Sequence, residues 1–331
     1  MNRRDTLIAL FALGGAAGPF AVKAQHPDKV RRIGVLMGYA ENDPEAQSRL
    51  AAFKERLAML GWSEGRNLRM DVRWSAGDIN RASVLAKELV ALQPELILSN
   101  TTPVTAALQR ETRTIPIVFT VVSDPVGSGF VKTLSQPGGN ITGFINLEAS
   151  LIEKWLELLK EIAPRVTRVA VMFNPDTAPY AEYYLRPLRV AAPKLGVKAF
   201  TAIVRSESDI QESITALGRE SGGGLIVMTD SFMTVHRKSV IALTARHNVP
   251  ATYFAGYWVA DGGLSAYGVD VVDLFRRAAS HVDRILRGAK PAELPVEQPA
   301  RFELFINMKT AMALGLKIPQ SILVRADKVI E

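Results

Sequence analysis

Three short clusters hold the groups in this chain that could do chemistry. Thr101-Thr102-Pro103 follows the apolar run ELILSN, Ser123-Asp124-Pro125 follows IVFTVV, and Thr229-Asp230-Ser231 follows a third apolar run at Leu225-Ile226-Val227. Each places hydroxyls or a carboxylate directly behind a segment of buried-strand character, where open α/β sheets meet their ligands. In the first cluster a threonine can cap a helix, and proline suits the first helical turn because it has no N–H to lose. The free N–H groups of that turn favour an anion such as a carboxylate, although the same residues serve equally well as a plain cap. Asp124 and Asp230 can pair with a ligand ammonium or cap the turn that follows. Asn174, in Asn174-Pro175-Asp176-Thr177, can do either. Tyr39, Tyr253 and Phe254 offer aromatic faces for an apolar ligand group or for packing.

Covalent and metal chemistry is poorly served. The chain has no cysteine, which excludes cysteine proteases, thiol redox enzymes, Fe–S proteins and thiolate zinc sites. It lacks a glycine-rich dinucleotide loop after the first strand, a phosphate-binding Gly-Lys-Ser/Thr and a Gly-x-Ser-x-Gly elbow. His26, His236, His247 and His281 have no metal-ligand spacing. Ser221 to Gly224 is glycine-rich but precedes a strand, so it reads as a turn. No catalytic residue, metal or cofactor is therefore expected. Carboxylates meeting in a cleft keep an exported α/β enzyme as the alternative.

The elements that must position these clusters alternate regularly. Arg32 to Met37 reads as a buried strand, and Pro44 to Leu60 carries Leu50, Phe53, Leu57 and Leu60 at helical spacing. Strand character returns at Asn67 to Trp74, Glu95 to Ser99 and Ile115 to Val122, with helices predicted at Ile79 to Leu92 and Val104 to Thr112. This order implies a parallel sheet covered on both faces. The pattern then repeats. Arg168 to Phe173 echoes the first strand about 136 positions later, Leu195-Gly196 echoes Leu60-Gly61, and Val249-Pro250 echoes Ile115-Pro116. The fold class is therefore α/β, with two Rossmann-like lobes of parallel sheet. A turn cluster at Gln136 to Ile145 and a second crossing near Asp261 to Gly268 join the lobes through several segments, an arrangement that can close on a ligand.

Length and composition agree with this reading. A chain of 331 residues with 48% hydrophobic and 22% charged residues is globular and large enough for two domains. The first 24 residues read as a secretory leader: Arg3 and Arg4, an uncharged stretch from Thr6 to Val22, then the small-x-small site Val22-Lys23-Ala24. Cleavage near Ala24 removes three cations and one anion, lowering the formal charge from +7 to +5. That charge does not call for nucleic acid. The expected division is a leader at 1–24, a first lobe at 25–144 plus 264–295, and a second lobe at 145–263 plus 296–331, in a periplasmic protein.

A further set of short segments resembles a known family. Ser123-Asp124-Pro125-Val126-Gly127, Pro137-Gly138-Gly139-Asn140 with Thr142-Gly143, Asn174-Pro175, Thr229-Asp230, Tyr267-Gly268, and Asn307-Met308-Lys309-Thr310-Ala311 with Leu314-Gly315 follow the order and spacing of ABC-transporter substrate-binding proteins, the family that includes tryptophan and other aromatic amino-acid binders. The resemblance implies a type I periplasmic-binding-protein fold with three hinge crossings. It also implies a carboxylate-holding loop at Thr101 and Thr102, a cleft loop at Ser123 and Asp124, and second-lobe contacts from Asn174 and Asp230. Together with Tyr39, Thr229 and Phe254 these form the expected ligand site. The chain departs from amino-acid binders at Phe254-Ala255, where they carry a Ser-Asp pair, and at Ser231. The expected function is a monomeric periplasmic receptor that binds an amino acid or related small carboxylate and delivers it to an ABC permease with a separate ATPase. A sensor presenting the solute to a membrane receptor is a second alternative.

Overall fold

A computed structural model describes residues 30–299 and 301–331; the expected leader and its cleavage site lie outside them. The first half runs β1 (Arg31–Met37), α1 (Pro44–Met59), β2 (Leu68–Trp74), α2 (Ile79–Ala91), β3 (Leu96–Asn100), α3 (Thr102–Glu111), β4 (Ile117–Val122) and β5 (Ile141–Ile145). The second runs α4 (Leu151–Ile162), β6 (Arg168–Phe173), α5 (Ala181–Lys194), β7 (Lys198–Ile203), α6 (Glu207–Gly218), β8 (Gly223–Val227), α7 (Ser231–Val235), α8 (Arg237–Arg246), β9 (Ala251–Tyr253), α9 (Gly256–Ala260) and β10 (Ser265–Val269). The chain closes with α10 (Val271–Leu286), a short 3-10 turn at Pro291–Glu293, β11 (Phe302–Asn307), α11 (Met308–Ala313), α12 (Gln320–Arg325) and β12 (Lys328–Ile330).

Local chemistry accounts for these elements. Asp43 caps α1 by accepting from the Ala46 N–H at 3.0 Å, with Pro44 in the first turn. Ala46, Leu50, Phe53 and Leu57 then form its buried stripe. Asp78 caps α2, Asp270 caps α10, and Ser206 with Asp209 forms a capping box on α6. Strands β3, β4 and β5 are buried along their whole length, which explains why they read as unbroken apolar runs rather than alternating ones.

The first sheet has the order β2-β1-β3-β4-β5, and all its pairings are parallel. The second contains β7-β6-β8-β9-β10 in the same relative order. The repeat seen in the sequence is thus a repeat of topology. Two strands extend the second sheet: β11 pairs antiparallel with β10, and β12 parallel with β11.

The chain passes between the sheets three times. It leaves the first after β5, returns after β10 through α10, which packs along α1 and β4, and leaves again beyond Glu297. The second crossing falls after Val269, later than the expected Asp261 to Gly268. Ser265–Val269, expected in the first lobe, pairs instead in the seven-stranded sheet. Val296 and Glu297, expected in the second lobe, stay with the first: Val296 packs in its core, and the Glu297 N–H donates to the Gly143 carbonyl at 2.9 Å. The cause is local in each case. The apolar run of β10 needs neighbours on both edges, whereas the amphipathic α10 needs the α1 face.

Candidate functional site

The carboxyl ends of the two sheets face one another, and in this structure the lobes are closed. Side chains from both meet in a buried relay. Tyr184 on α5 donates to Ser123 Oγ at 3.1 Å, Ser123 Oγ donates to Asn146 Oδ1 at 3.1 Å, and Asn146 Nδ2 donates to Thr229 Oγ1 at 2.8 Å. Tyr180 Oη donates to the Thr229 carbonyl at 2.6 Å. Burial drives the phenol pKa values of Tyr180 and Tyr184 upward, so both remain neutral donors. Beside the relay a second cross-lobe contact forms. Arg237, at the start of α8, gives Nη1 to Asp43 Oδ2 at 2.5 Å and Nε to Asp261 Oδ2 at 2.7 Å. Burial acts to raise the Asp43 pKa, but the Ala46 N–H and the Arg237 guanidinium outweigh it and hold it below the usual value.

The loop after β3 is buried and strained. Thr101 has φ 84° and ψ 154°, a region that costs a β-branched residue about 1–3 kcal/mol. Its backbone is held by an N–H bond to the Thr120 carbonyl at 3.0 Å and by the Thr105 hydroxyl on its own carbonyl at 2.9 Å. Its Oγ1 is buried with no partner, and it makes no cap bond to α3. Gly38 permits this, since a Cβ there would lie 2.7 Å from Thr101 Oγ1. Thr102 does not cap its helix either; its Oγ1 accepts from the Ser123 N–H at 3.2 Å and ties two cleft loops together.

Asp230 is arranged in the opposite way. Its Oδ1 accepts from Thr177 Oγ1 at 2.5 Å and the Phe232 N–H at 2.9 Å, and its Oδ2 accepts from the Asn174 N–H at 2.8 Å. Burial raises its pKa to about 6 against the opposing effect of these donors. It holds the second-lobe loops together and caps α7, with both oxygens already accepting hydrogen bonds from its own lobe. Asn174 turns its side chain onto the Asp176 N–H at 2.9 Å. Asp124, at φ 45°, accepts from the Gly127 N–H at 2.8 Å. It lines a groove of about 340 Å³ at the cleft mouth with Thr102, Gln109, Pro179 and Tyr180. Phe254 packs edge-on against Tyr257 and Trp258. Tyr39 is buried against the guanidinium of Arg49, 4.9 Å from its ring centre.

The fold therefore brings all nine expected residues to the ends of the sheets facing the cleft, and only some of them keep free polar atoms. Sequence reasoning missed Asn146, Tyr180, Tyr184, Tyr257, Arg237 and Arg49. Asn146 follows β5 directly, and the strand-end rule applied to β5 would have found it. Arg49 interrupts the apolar stripe of α1 between Ala46 and Phe53, which marks a buried cation. His236 and His247 flank α8; the His236 ring bonds the Phe232 carbonyl at 2.9 Å.

Residues 41–330 match the protein family described as ABC transporter substrate binding protein. A tyrosine-binding protein of Clostridioides difficile (strain R20291) is 26% identical over 274 residues, covering 83% of this chain and 78% of that protein. Among solved structures, a conserved domain protein of Vibrio cholerae aligns with TM-score 0.85 and 30% identity over 91% of this chain and all of its own. An ABC domain in complex with L-Trp from Streptococcus pneumonia aligns with TM-score 0.83 and 27% identity over 91% of this chain and 99% of its own. Among the described residues, no helix is long and apolar enough to cross a membrane.

Proposed function

The chain belongs to the ABC transporter substrate binding protein family, and on that premise we propose that it is the periplasmic receptor of an ABC importer. It takes an amino acid or related small carboxylate between its lobes, closes, and presents the closed form to a permease driven by a separate ATPase. Binding is direct and non-covalent, without enzymatic turnover, and the receptor acts as a monomer. The carrying observation is the cross-lobe relay Tyr184–Ser123–Asn146–Thr229, which assembles only when the sheet ends meet. The strained Thr101, with its unpaired hydroxyl in the closed interface, supports a ligand subsite there. The tyrosine- and tryptophan-binding relatives favour an aromatic side chain on the solute.

A thermal-shift screen of the leaderless chain over amino acids and small carboxylates tests this. A ligand at one hundred times its Kd stabilises by about 2.7 kcal/mol. A screen without any shift, together with turnover of one of the compounds, would overturn the receptor reading.

A further inference from the structure

Among the described residues, Arg49, Asp230 and Arg237 are the Asp, Glu, Lys and Arg side chains classed as buried, at 1%, 3% and 5% exposure. Two of the three are satisfied. Arg237 has Asp43 and Asp261, and Asp230 has three donors. Arg49 differs from both. Its guanidinium lies between two aromatic rings, 4.9 Å from the centre of Tyr39 on the first lobe and 4.9 Å from that of Tyr257 on the second. Its Nε and Nη2 have no hydrogen-bond partner, and no ion pair is formed with Glu45 or Asp43. Nε and Nη2 are the two nitrogens along one edge of the guanidinium, the edge that grips a carboxylate with two parallel bonds. Ring faces stabilise the cation without filling that edge. A buried guanidinium left this way is costly unless an anion completes it.

We propose that Arg49 is the anion receptor of the cleft, holding the ligand's carboxylate along its Nε–Nη2 edge between Tyr39 and Tyr257. It lies on the inner face of α1, close to the strained loop: Tyr39 touches its guanidinium, and the neighbouring Gly38 touches Thr101. The opposite requirement, a buried carboxylate for an ammonium group, is unmet. The Asp230 carboxylate is committed to three donors of its own lobe, residue 255 is alanine, and Asp124 stands at the partly exposed cleft mouth. The preferred ligand class is therefore an arylalkyl carboxylate that needs no amino group, rather than a zwitterion. This rests on the receptor reading and narrows it.

Titration calorimetry of the leaderless chain separates the possibilities with three kinds of probe. These are L-tryptophan and L-tyrosine, their des-amino counterparts indole-3-propionate and 3-(4-hydroxyphenyl)propionate, and the amines tryptamine and tyramine. The des-amino acids are expected to bind at least as tightly as the amino acids, and the amines not to bind. Arg49→Met is expected to weaken carboxylate binding on the order of 100-fold, with the unliganded melting temperature recorded as a folding control. Arg49→Lys keeps the charge but loses the two-toothed edge. It is expected to lose about tenfold, and it carries the test should Arg49→Met fail to fold. Amines binding as well as carboxylates, amino acids binding while the des-amino acids do not, or unchanged affinity in the Arg49 variants would overturn the assignment and leave the receptor reading standing. No heat from any of the six compounds with the unsubstituted chain would overturn the arylalkyl assignment; the receptor reading falls only if the wider screen is also blank and one of its compounds is turned over.

Discussion

Behind β3 of the first sheet, Thr101 holds a strained backbone and an unpaired hydroxyl. At the corresponding place behind β8 of the second, Asp230 collects three hydrogen bonds and caps its helix. The two loops descend from equivalent strands in sheets of the same order. They differ in how completely they satisfy themselves. The first lobe, with Thr101 and Arg49, keeps polar edges free inside the closed interface. In the second lobe the strand-end carboxylate is satisfied by its own loops, while Thr229 Oγ1 and the Tyr184 hydroxyl join the contact that closes the cleft. The unpartnered buried atoms of that lobe, Trp258 Nε1 and Arg168 Nη2, lie away from that loop. Five strands in the same order thus carry loops of different chemistry, and the difference lies in the loops rather than in the shared part of the sheets.

Removing the internal bonds of the second lobe gives the largest expected effect. Asp230→Ala leaves a hydroxyl and two backbone N–H groups without their acceptor, and should destabilise the fold by about 3 kcal/mol or more in urea unfolding. The same residue makes stability depend on pH. Its folded pKa, about 6, lies above the unfolded aspartate value. Its contribution is therefore full below about pH 4 and is lost as pH rises through 6, a change of about 3 kcal/mol for a shift of this size. Melting curves from pH 4 to 8 should show this slope in the natural chain and lose it in Asp230→Asn. A flat profile in the natural chain would remove the contrast drawn between the lobes.

A middle-sized effect is expected where the lobes meet. Arg237→Ala breaks the bond to Asp43 across the cleft and the bond to Asp261 within the second lobe. With Asp261 about a third exposed, the loss should be about 2 kcal/mol. It should appear chiefly as opening, a larger radius of gyration by solution scattering before any loss of helix signal. If global stability falls by the same amount with no change in shape, Arg237 belongs to the second lobe's internal structure and not to closure.

The smallest effect is the most discriminating. Thr101→Gly relieves the positive φ while removing the unpaired hydroxyl. Folding stability should stay level or rise by about 1 kcal/mol. Affinity for the bound solute should fall about fivefold, the worth of one hydrogen bond. The opposite pair of results, lower stability with unchanged affinity, would make Thr101 a structural residue and equate the two loops.

Much of this molecule was legible in one dimension. Apolar runs of strand length, helical stripes such as Leu50, Phe53 and Leu57, and echoes at nearly constant offset marked the duplicated α/β lobes. Those signals come from neighbours within a few residues, and burial enforces them locally. The strand-end rule likewise located the cleft loops, because parallel strands carry their following residues to one edge of a sheet. The state of each side chain was not legible. Thr101, Thr102 and Asp230 all read as caps or ligand groups. Their actual roles depended on Gly38, Ser123, Thr177 and Asn174, which lie 21 to 63 positions away in the chain. Arg49 stood out only as a cation inside the apolar stripe of α1; its ring partners Tyr39 and Tyr257 were not legible. Sequence determines the lobes because hydrophobic periodicity is short-ranged. Whether a buried polar atom is satisfied or left for a ligand is settled only by partners that folding brings from far along the chain.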